Sequence, residues 1–225
     1  YQHLMNFWGS TMQDDLYTLV ADGWESGNQA IRLQKENKDK KKKDIEGLEG
    51  LEGRLISPSL LISEYFHTEK TEIETIETDL ETVTASMEEI EEEYGDEDGL
   101  LAEVVENEKV NKGLLAKRIK EINDDFDSAD ELEVLAKYQG LLDKETELKR
   151  EVKAKYAQLE RKVIEKYPRL SIDEIKTLVI DKKWLRALEE AIIGEIEKVA
   201  QKLTGRIKEL AERYDEPLPQ IASEV

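Results

Sequence analysis

The sequence contains no cysteine and only two histidines, His3 and His67. Without thiols the chain can form neither disulfides nor thiolate metal sites, and it lacks the nucleophile of cysteine enzymes. The two histidines do not have the spacing of a zinc site or of a catalytic triad. We interpret His67, which follows Phe66, as a packing residue rather than as a ligand.

Aromatic residues are scarce, at 6% of the chain, whereas charged residues make up 38%. No apolar run approaches the roughly 18 residues that a membrane span needs, so we expect a cytoplasmic protein. This composition favours long helices with narrow apolar seams over one thick globular core. The sequence therefore predicts an all-α fold.

Basic charge is in deficit, because 53 acidic residues stand against 33 basic ones and the net charge is −20. The surface as a whole therefore repels DNA phosphates. Residues 35–43 differ, with six lysines and no apolar side chain. A solvated linker is the simpler interpretation, but Lys40, Lys41, Lys42 and Lys43 could contact a DNA backbone.

Carboxylates are so frequent that some of them meet a catalytic spacing by chance. We interpret the cluster Glu88, Glu89, Glu91, Glu92 and Glu93 as a solvated helix end rather than as a divalent-ion site. A hydrolase that uses paired carboxylates is accordingly the weakest hypothesis. The glycines of residues 47–53 recur every third position and do not form a phosphate-binding loop.

Apolar residues then follow a helical period. From Ile73 to Tyr94 they step by three and four over three heptads, which is typical of a coiled-coil seam. We expect one helix over residues 62–94, about 50 Å long at 1.5 Å per residue. Pro58 fits its entrance, and Gly95 is expected to end it.

A shorter helix is predicted over residues 114–125, and a second long one begins near Ser128 or Asp130. Pro168 should end the long helix because proline lacks the amide hydrogen. Residues 61–100 carry a net charge of −14, whereas residues 144–169 carry +4. Two helices that expose apolar seams and carry opposite net charge are natural partners. We therefore predict an antiparallel, coiled-coil-like hairpin of helices 62–94 and 130–167, with residues 95–129 at its tip.

A further long helix follows a capping box at Ser171 and Glu174 and runs to about Tyr214. Its seam has no partner in the hairpin, so we predict that this helix binds another protein. The candidate contacts are Leu203, Ile207, Leu210 and Tyr214.

The first 34 residues differ in composition and hold two of the three tryptophans. Leu16 to Val20 is predicted to be a short strand. We expect residues 1–34 to be the remnant of a truncated globular domain, residues 35–60 a basic and glycine-rich linker, and residues 61–225 a helical assembly arm. On this interpretation the chain is a fragment of a longer protein.

Several segments resemble the modification subunit of type I restriction-modification systems. They are MQDD and VADGW at 12–15 and 20–24, KKKDIEGLEG at 41–50, RLISPSLLI at 54–62, KYPRL at 166–170 and LTGRIKELAERY at 203–214. The resemblance covers nearly the whole chain, and its last segment is fairly specific. It places the chain after the methyltransferase core, in the C-terminal region of that subunit.

The resemblance implies a parent protein that uses S-adenosylmethionine to methylate adenine at N6 in DNA. It also implies two partners, a specificity subunit that reads the DNA site and a motor-nuclease subunit. The family's [DN]-P-P-[FYW] motif is absent because no two prolines are adjacent, and its glycine-rich cofactor motif is absent as well. No catalytic, cofactor-binding or metal-binding residue can therefore be placed on this chain.

Two functions from different classes remain open from the sequence. The first is the assembly arm of this DNA methyltransferase, which docks onto the specificity subunit. The second is a stand-alone coiled-coil scaffold that associates with itself. Binding of the specificity subunit would favour the first, and a self-dimer with a closed seam would favour the second.

Overall fold

A computed structural model describes residues 2–36, 42–96, 99–106, 109–123 and 128–214 of the chain. Helices account for most of these residues, and they are α1 Gln2–Thr11, α2 Gln13–Asp22, α3 Pro58–Tyr65, α4 His67–Tyr94, α5 Lys112–Ile122, α6 Ala129–Lys166, α7 Ile172–Lys176 and α8 Arg186–Arg213. A π-helical stretch, Thr177–Leu185, joins α7 to α8. The all-α prediction is confirmed.

The strands in the described part of the chain are short and form two-stranded pairs. They are β1 Ala30–Arg32, β2 Gln34–Glu36, β3 Lys42–Asp44, β4 Leu51–Gly53, β5 Val105–Glu106 and β6 Lys109–Val110. One pair joins β1 to β4, β2 pairs antiparallel with β3, and β5 pairs antiparallel with β6. The segment expected to be a plain linker therefore contains an ordered strand pair.

Contacts divide the chain into two compact units that do not follow its linear order. One unit lies within residues 1–31, 53–60 and 167–225, and the other within residues 32–52 and 61–166. Residues 53–60, inside the predicted linker, thus group with both ends of the chain. The origin of residues 1–34 as a domain remnant stays a prediction.

The second unit is built on the predicted antiparallel hairpin, formed by α4 and α6. As residue numbers rise along α6 they fall along α4. Tyr156 donates to Glu77 at 2.9 Å, Lys155 to Glu72 at 2.7 Å and Lys162 to Glu69 at 2.7 Å. The acidic helix and the basic helix are therefore neighbours, as the charge pattern indicated.

Apolar packing rather than these exposed ion pairs holds the hairpin together, since exposed pairs contribute under about 1 kcal/mol each. The seam of α4 packs with the tip segment and the first half of α6. The buried cluster consists of Val83, Met87, Ile90, Leu101, Val104, Leu115, Ile122, Leu135 and Tyr138. Each well-buried side chain of this kind stabilises the fold by about 1.5–3 kcal/mol.

Helix ends agree with most of the predicted signals. α3 begins at Pro58, α4 ends before Gly95, and α6 ends two residues before Pro168. The capping box is present, because Ser171 Oγ accepts from the Glu174 amide at 3.2 Å and the Glu174 carboxylate accepts from the Ser171 amide at 2.8 Å. Local sequence therefore sets these boundaries.

Three local predictions are wrong or need revision. Residues 16–20 lie in α2 and not in a strand, because their backbone hydrogen bonds are helical; the last of them runs from the Gly23 amide to the Leu19 carbonyl at 2.9 Å. The helix expected over residues 62–94 is interrupted at Phe66, which has φ −128° and ψ 32°. The helix expected over 114–125 begins earlier, at Lys112, because Asn111 caps it.

Candidate docking face on the C-terminal helix

α8 presents an apolar face that the rest of the described chain leaves uncovered. None of its side chains is buried among the residues that the structure describes. Ile196 is 62% exposed and Leu203 is 60% exposed, whereas Leu135 on the hairpin seam is fully buried. The large exposed residues of this face are Leu185, Ile192, Ile196, Val199, Leu203, Ile207, Leu210 and Tyr214.

The four residues predicted to bind a partner all belong to this face. Leu203, Ile207 and Leu210 recur at helical spacing along one side of α8, and Tyr214 follows one turn beyond Leu210. All four are exposed. We call the exposed set from Leu185 to Tyr214, together with the half-buried Leu188, the α8 seam.

A polar network holds Lys183 and Trp184, which lie just before α8, within the first unit. Asp15 of α2 is 8% exposed, and its carboxylate accepts hydrogen bonds from Lys183 Nζ and Trp184 Nε1, both at 2.8 Å. The Lys183 ammonium also donates to the Leu55 carbonyl at 2.9 Å. A buried carboxylate that is both ion-paired and hydrogen-bonded is costly to disrupt, so the network holds the π-helical stretch to α2.

That π-helical stretch changes the face that the helix presents. Ile175, Leu178 and Val179 are buried in the first unit, whereas Leu185 is already 52% exposed. A π-helical turn takes more residues per turn than an α-helix and so shifts the side-chain register. The buried residues end at Val179 within this stretch, and the exposed α8 seam begins at its last residue, Leu185.

α1 adds a second wall to the first half of the seam. Phe7 of α1 lies beside Leu188, Ile192, Ile196 and Val199, and together they line an open groove of about 1010 Å³. A neighbouring apolar depression continues this surface; it is lined by Met5, Phe7, Trp8, Met12 and Leu188. Large contiguous apolar patches on a protein surface usually mark an interaction site.

The predicted DNA-contacting lysines are described only in part. Lys40 and Lys41 lie outside the described residues. Lys42 and Lys43 lie on β3, and both side chains are exposed. Lys43 stands opposite Lys35 of β2, and two like charges in that position destabilise a strand pair. Contact of this segment with DNA stays a prediction.

Tyr138 and Arg118 bind carboxylates within the second unit. Glu91 accepts a hydrogen bond from the Tyr138 hydroxyl, and burial together with this carboxylate raises the pKa of Tyr138. Arg118 donates to Glu131 at 2.6 and 2.9 Å and pairs with Glu103 at 2.8 Å. Within the described residues no three acidic or histidine side chains form a group that could hold a metal ion.

Sequence reasoning missed both the Asp15 network and the α1 wall. No signal in the sequence places Asp15 against Lys183 and Trp184, and the strand interpretation of residues 16–20 obscured the helix that carries Asp15. For the groove, Phe7 and Trp8 lay close to the start of the chain with no neighbour indicated by the sequence.

Among the described helices, none combines the length and apolar character required to cross a membrane.

No protein-family model matches this sequence, and neither does any curated protein or solved structure.

Proposed function

We propose that this chain is the helical assembly region of a type I restriction-modification methylation subunit, and that it docks onto the specificity subunit through the α8 seam. The observation that carries the proposal is the exposure of that seam from Leu185 to Tyr214. The resemblance of several segments to the modification subunit, above all LTGRIKELAERY at 203–214, supplies the identity of the partner.

The geometry supports docking of a partner helix. Apolar residues spaced three and four apart are the anchors by which one helix lies in the groove of another. The seam is a continuous row of exposed apolar residues rather than a few isolated surface leucines, and charged residues flank it on both sides. The α1 wall turns its first half into a groove rather than a flat ridge.

The proposed parent protein is an S-adenosylmethionine-dependent methyltransferase that modifies adenine N6 in DNA and assembles with a motor-nuclease subunit. The present sequence has neither the proline pair of the catalytic motif nor the glycine-rich cofactor motif. We therefore assign this chain the assembly role and place catalysis elsewhere in the parent protein.

The test is capture of the chain by the specificity subunit encoded beside its gene. The seam variant carries Leu203→Asp and Ile207→Asp. The matched control carries Gln201→Asp and Gly205→Asp, which add the same charge on the opposite face of α8. All four positions are exposed, so helicity measured by circular dichroism should be retained in both variants.

We expect the seam variant to lose at least about 100-fold in affinity, because two buried anchors contribute about 1.5–3 kcal/mol each. The control should bind within about threefold of the unsubstituted chain, since surface substitutions have small effects. A folded chain that does not bind the specificity subunit, or a seam variant that binds as well as the control, would refute the proposal.

A further inference from the structure

The α8 seam has a repeat that differs from that of the hairpin. Its apolar positions are 185, 188, 192, 196, 199, 203, 207, 210 and 214, which step by three, four and four and so repeat every eleven residues. An 11-residue repeat corresponds to 3.67 residues per turn, whereas the heptad seam of α4 corresponds to 3.5. A partner helix that follows the α8 seam over its full length therefore needs an 11-residue repeat of its own.

The seam is also nearly symmetric about its middle. Leu185 and Tyr214 lie equally far from a centre between Val199 and Ala200, as do Ile192 and Ile207. Ile196 and Leu203 form a third such pair. If one copy of α8 is laid antiparallel on another, these residues meet across a two-fold axis, which is the arrangement of an isologous interface.

Charge along α8 has the matching polarity. Residues 186–197 contain Arg186 and four glutamates, for a net charge of −3, and residues 198–213 contain five basic residues and two glutamates, for +3. In an antiparallel pair each acidic half faces the basic half of the other copy. α8 as a whole is neutral, although the complete chain carries −20.

The helix dipole does not account for this polarity. Its effect is confined to the first and last turns of a helix, and the continuous helical stretch that includes α8 begins at Ile172. The four glutamates lie between positions 189 and 197, many turns from that start. In the last turn the unfavourable charge of Glu212 stands beside the favourable charge of Arg213, so the dipole explains no net charge there. The charge halves therefore indicate a neighbour of reversed polarity.

We infer that, in the chain free of the specificity subunit, α8 pairs antiparallel with α8 of a second copy. The repeat, the symmetry and the charge halves of the partner are then satisfied by the chain itself. Covering the exposed apolar side chains of both copies removes on the order of 1,000 Å² from water, which approaches the size of a specific interface. The second copy's Leu203, Ile207 and Leu210 then lie along the α1 wall.

The pair and the proposed docking use the same seam, so they exclude one another. The inference nevertheless stands on the α8 sequence and its exposure and does not require the resemblance. Self-association is measured on the chain alone, whereas docking is measured with the specificity subunit present. The two can therefore fail separately.

The experiment combines sizing with disulfide trapping, for which a chain without cysteine is well suited. Sedimentation is followed from about 1 µM to about 1 mM chain, a range that covers weak to moderate dissociation constants. Ile192→Cys and Ile207→Cys chains, one carrying a mass tag, are oxidised separately and as a mixture. Val199→Cys, near the proposed axis, is the positive control for pairing.

We expect a monomer–dimer equilibrium, a tagged heterodimer in the mixture, and at least about tenfold less disulfide in each chain oxidised alone. In an antiparallel pair, two copies of position 207 lie about 22 Å apart along the axis, because 15 residues separate positions 192 and 207. The Ile196→Asp and Leu203→Asp double variant should be monomeric, whereas the Gln201→Asp and Gly205→Asp control should still dimerise.

A chain that stays monomeric throughout the concentration range overturns the inference and leaves the docking proposal intact. Efficient disulfide formation by Ile207→Cys alone would show a parallel pair and would also overturn it. Antiparallel dimers that do not bind the specificity subunit would support the inference while refuting the proposed function, and the self-associating scaffold would then be the better interpretation.

Discussion

Replacing a leucine on each of the two apolar seams should have very unequal effects on stability. Leu135 on α6 is fully buried in the cluster at the tip of the hairpin, whereas Leu203 on α8 is 60% exposed. Both lie inside helices, and alanine is the best helix former, so a helical backbone is compatible with either substitution. The contrast between Leu135→Ala and Leu203→Ala therefore isolates burial.

Leu135→Ala removes three buried carbon atoms and leaves a cavity in the buried cluster at the tip of the hairpin. Substitutions of this kind cost about 2–5 kcal/mol, and full burial places Leu135 near the middle of that range, at about 3 kcal/mol. Leu203→Ala takes away a side chain that mostly contacts water. Its effect on the free energy of unfolding should lie within about 0.5 kcal/mol.

Hydrogen exchange measured by mass spectrometry is the suitable assay, because it reports each helix separately in a chain with two compact units. A loss of about 3 kcal/mol corresponds to roughly 100-fold faster exchange of the most protected amides in α4 and α6. The chain is held at a concentration where it is monomeric, so that pairing of α8 adds nothing.

Equal losses for the two variants would refute this reasoning, since they would mean that the α8 seam is packed against its own chain. A loss below about 1 kcal/mol for Leu135→Ala would also contradict it. In that case the buried cluster would not be what holds the tip of the hairpin.

Three further substitutions test other parts of the structure. Burial and Glu91 raise the pKa of Tyr138, so the folded state favours its neutral form. The free energy of unfolding should therefore fall as the pH rises past about 10, the pKa of tyrosine in the unfolded chain. Tyr138→Phe should flatten that fall, as measured from urea unfolding curves between pH 8 and 11. Gly53→Ala should destabilise the first unit, because a Cβ there would collide with the Ile56 carbonyl and the Tyr167 hydroxyl. The Cβ added by Gly205→Ala meets open space, so this substitution should raise the helicity of α8 and stabilise it by about 1 kcal/mol. A destabilising Gly205→Ala in the monomer would contradict the exposure of α8.

Periodicity and charge were sufficient to predict the hairpin. A seam from Ile73 to Tyr94 has to be covered, and the net charges of −14 and +4 indicated which helix covers it. Both are local or additive properties of the sequence, and so are the boundaries at Pro58, Gly95 and Ser171. They do not depend on how distant segments meet.

The exposed α8 seam could be proposed from the sequence only by elimination, since no other helix remained to pair with it. Its exposure is a tertiary property. The buried stripe ends within the π-helical stretch Thr177–Leu185, and no hydrophobic pattern predicts the change of register there. The wall formed by Phe7 depends on how α1 lies beside the first half of α8, which the sequence did not indicate.

The sequence by itself determined the long helices, most of their ends and the choice of partners within the hairpin, because those follow from spacing and net charge. Only the tertiary structure decided which apolar stripe is core and which is surface. Asp15 meets Lys183 and Trp184 across more than 160 positions, and a contact that distant leaves no periodic trace. Burial depends on which segments meet in space, and that information is absent from any single helix.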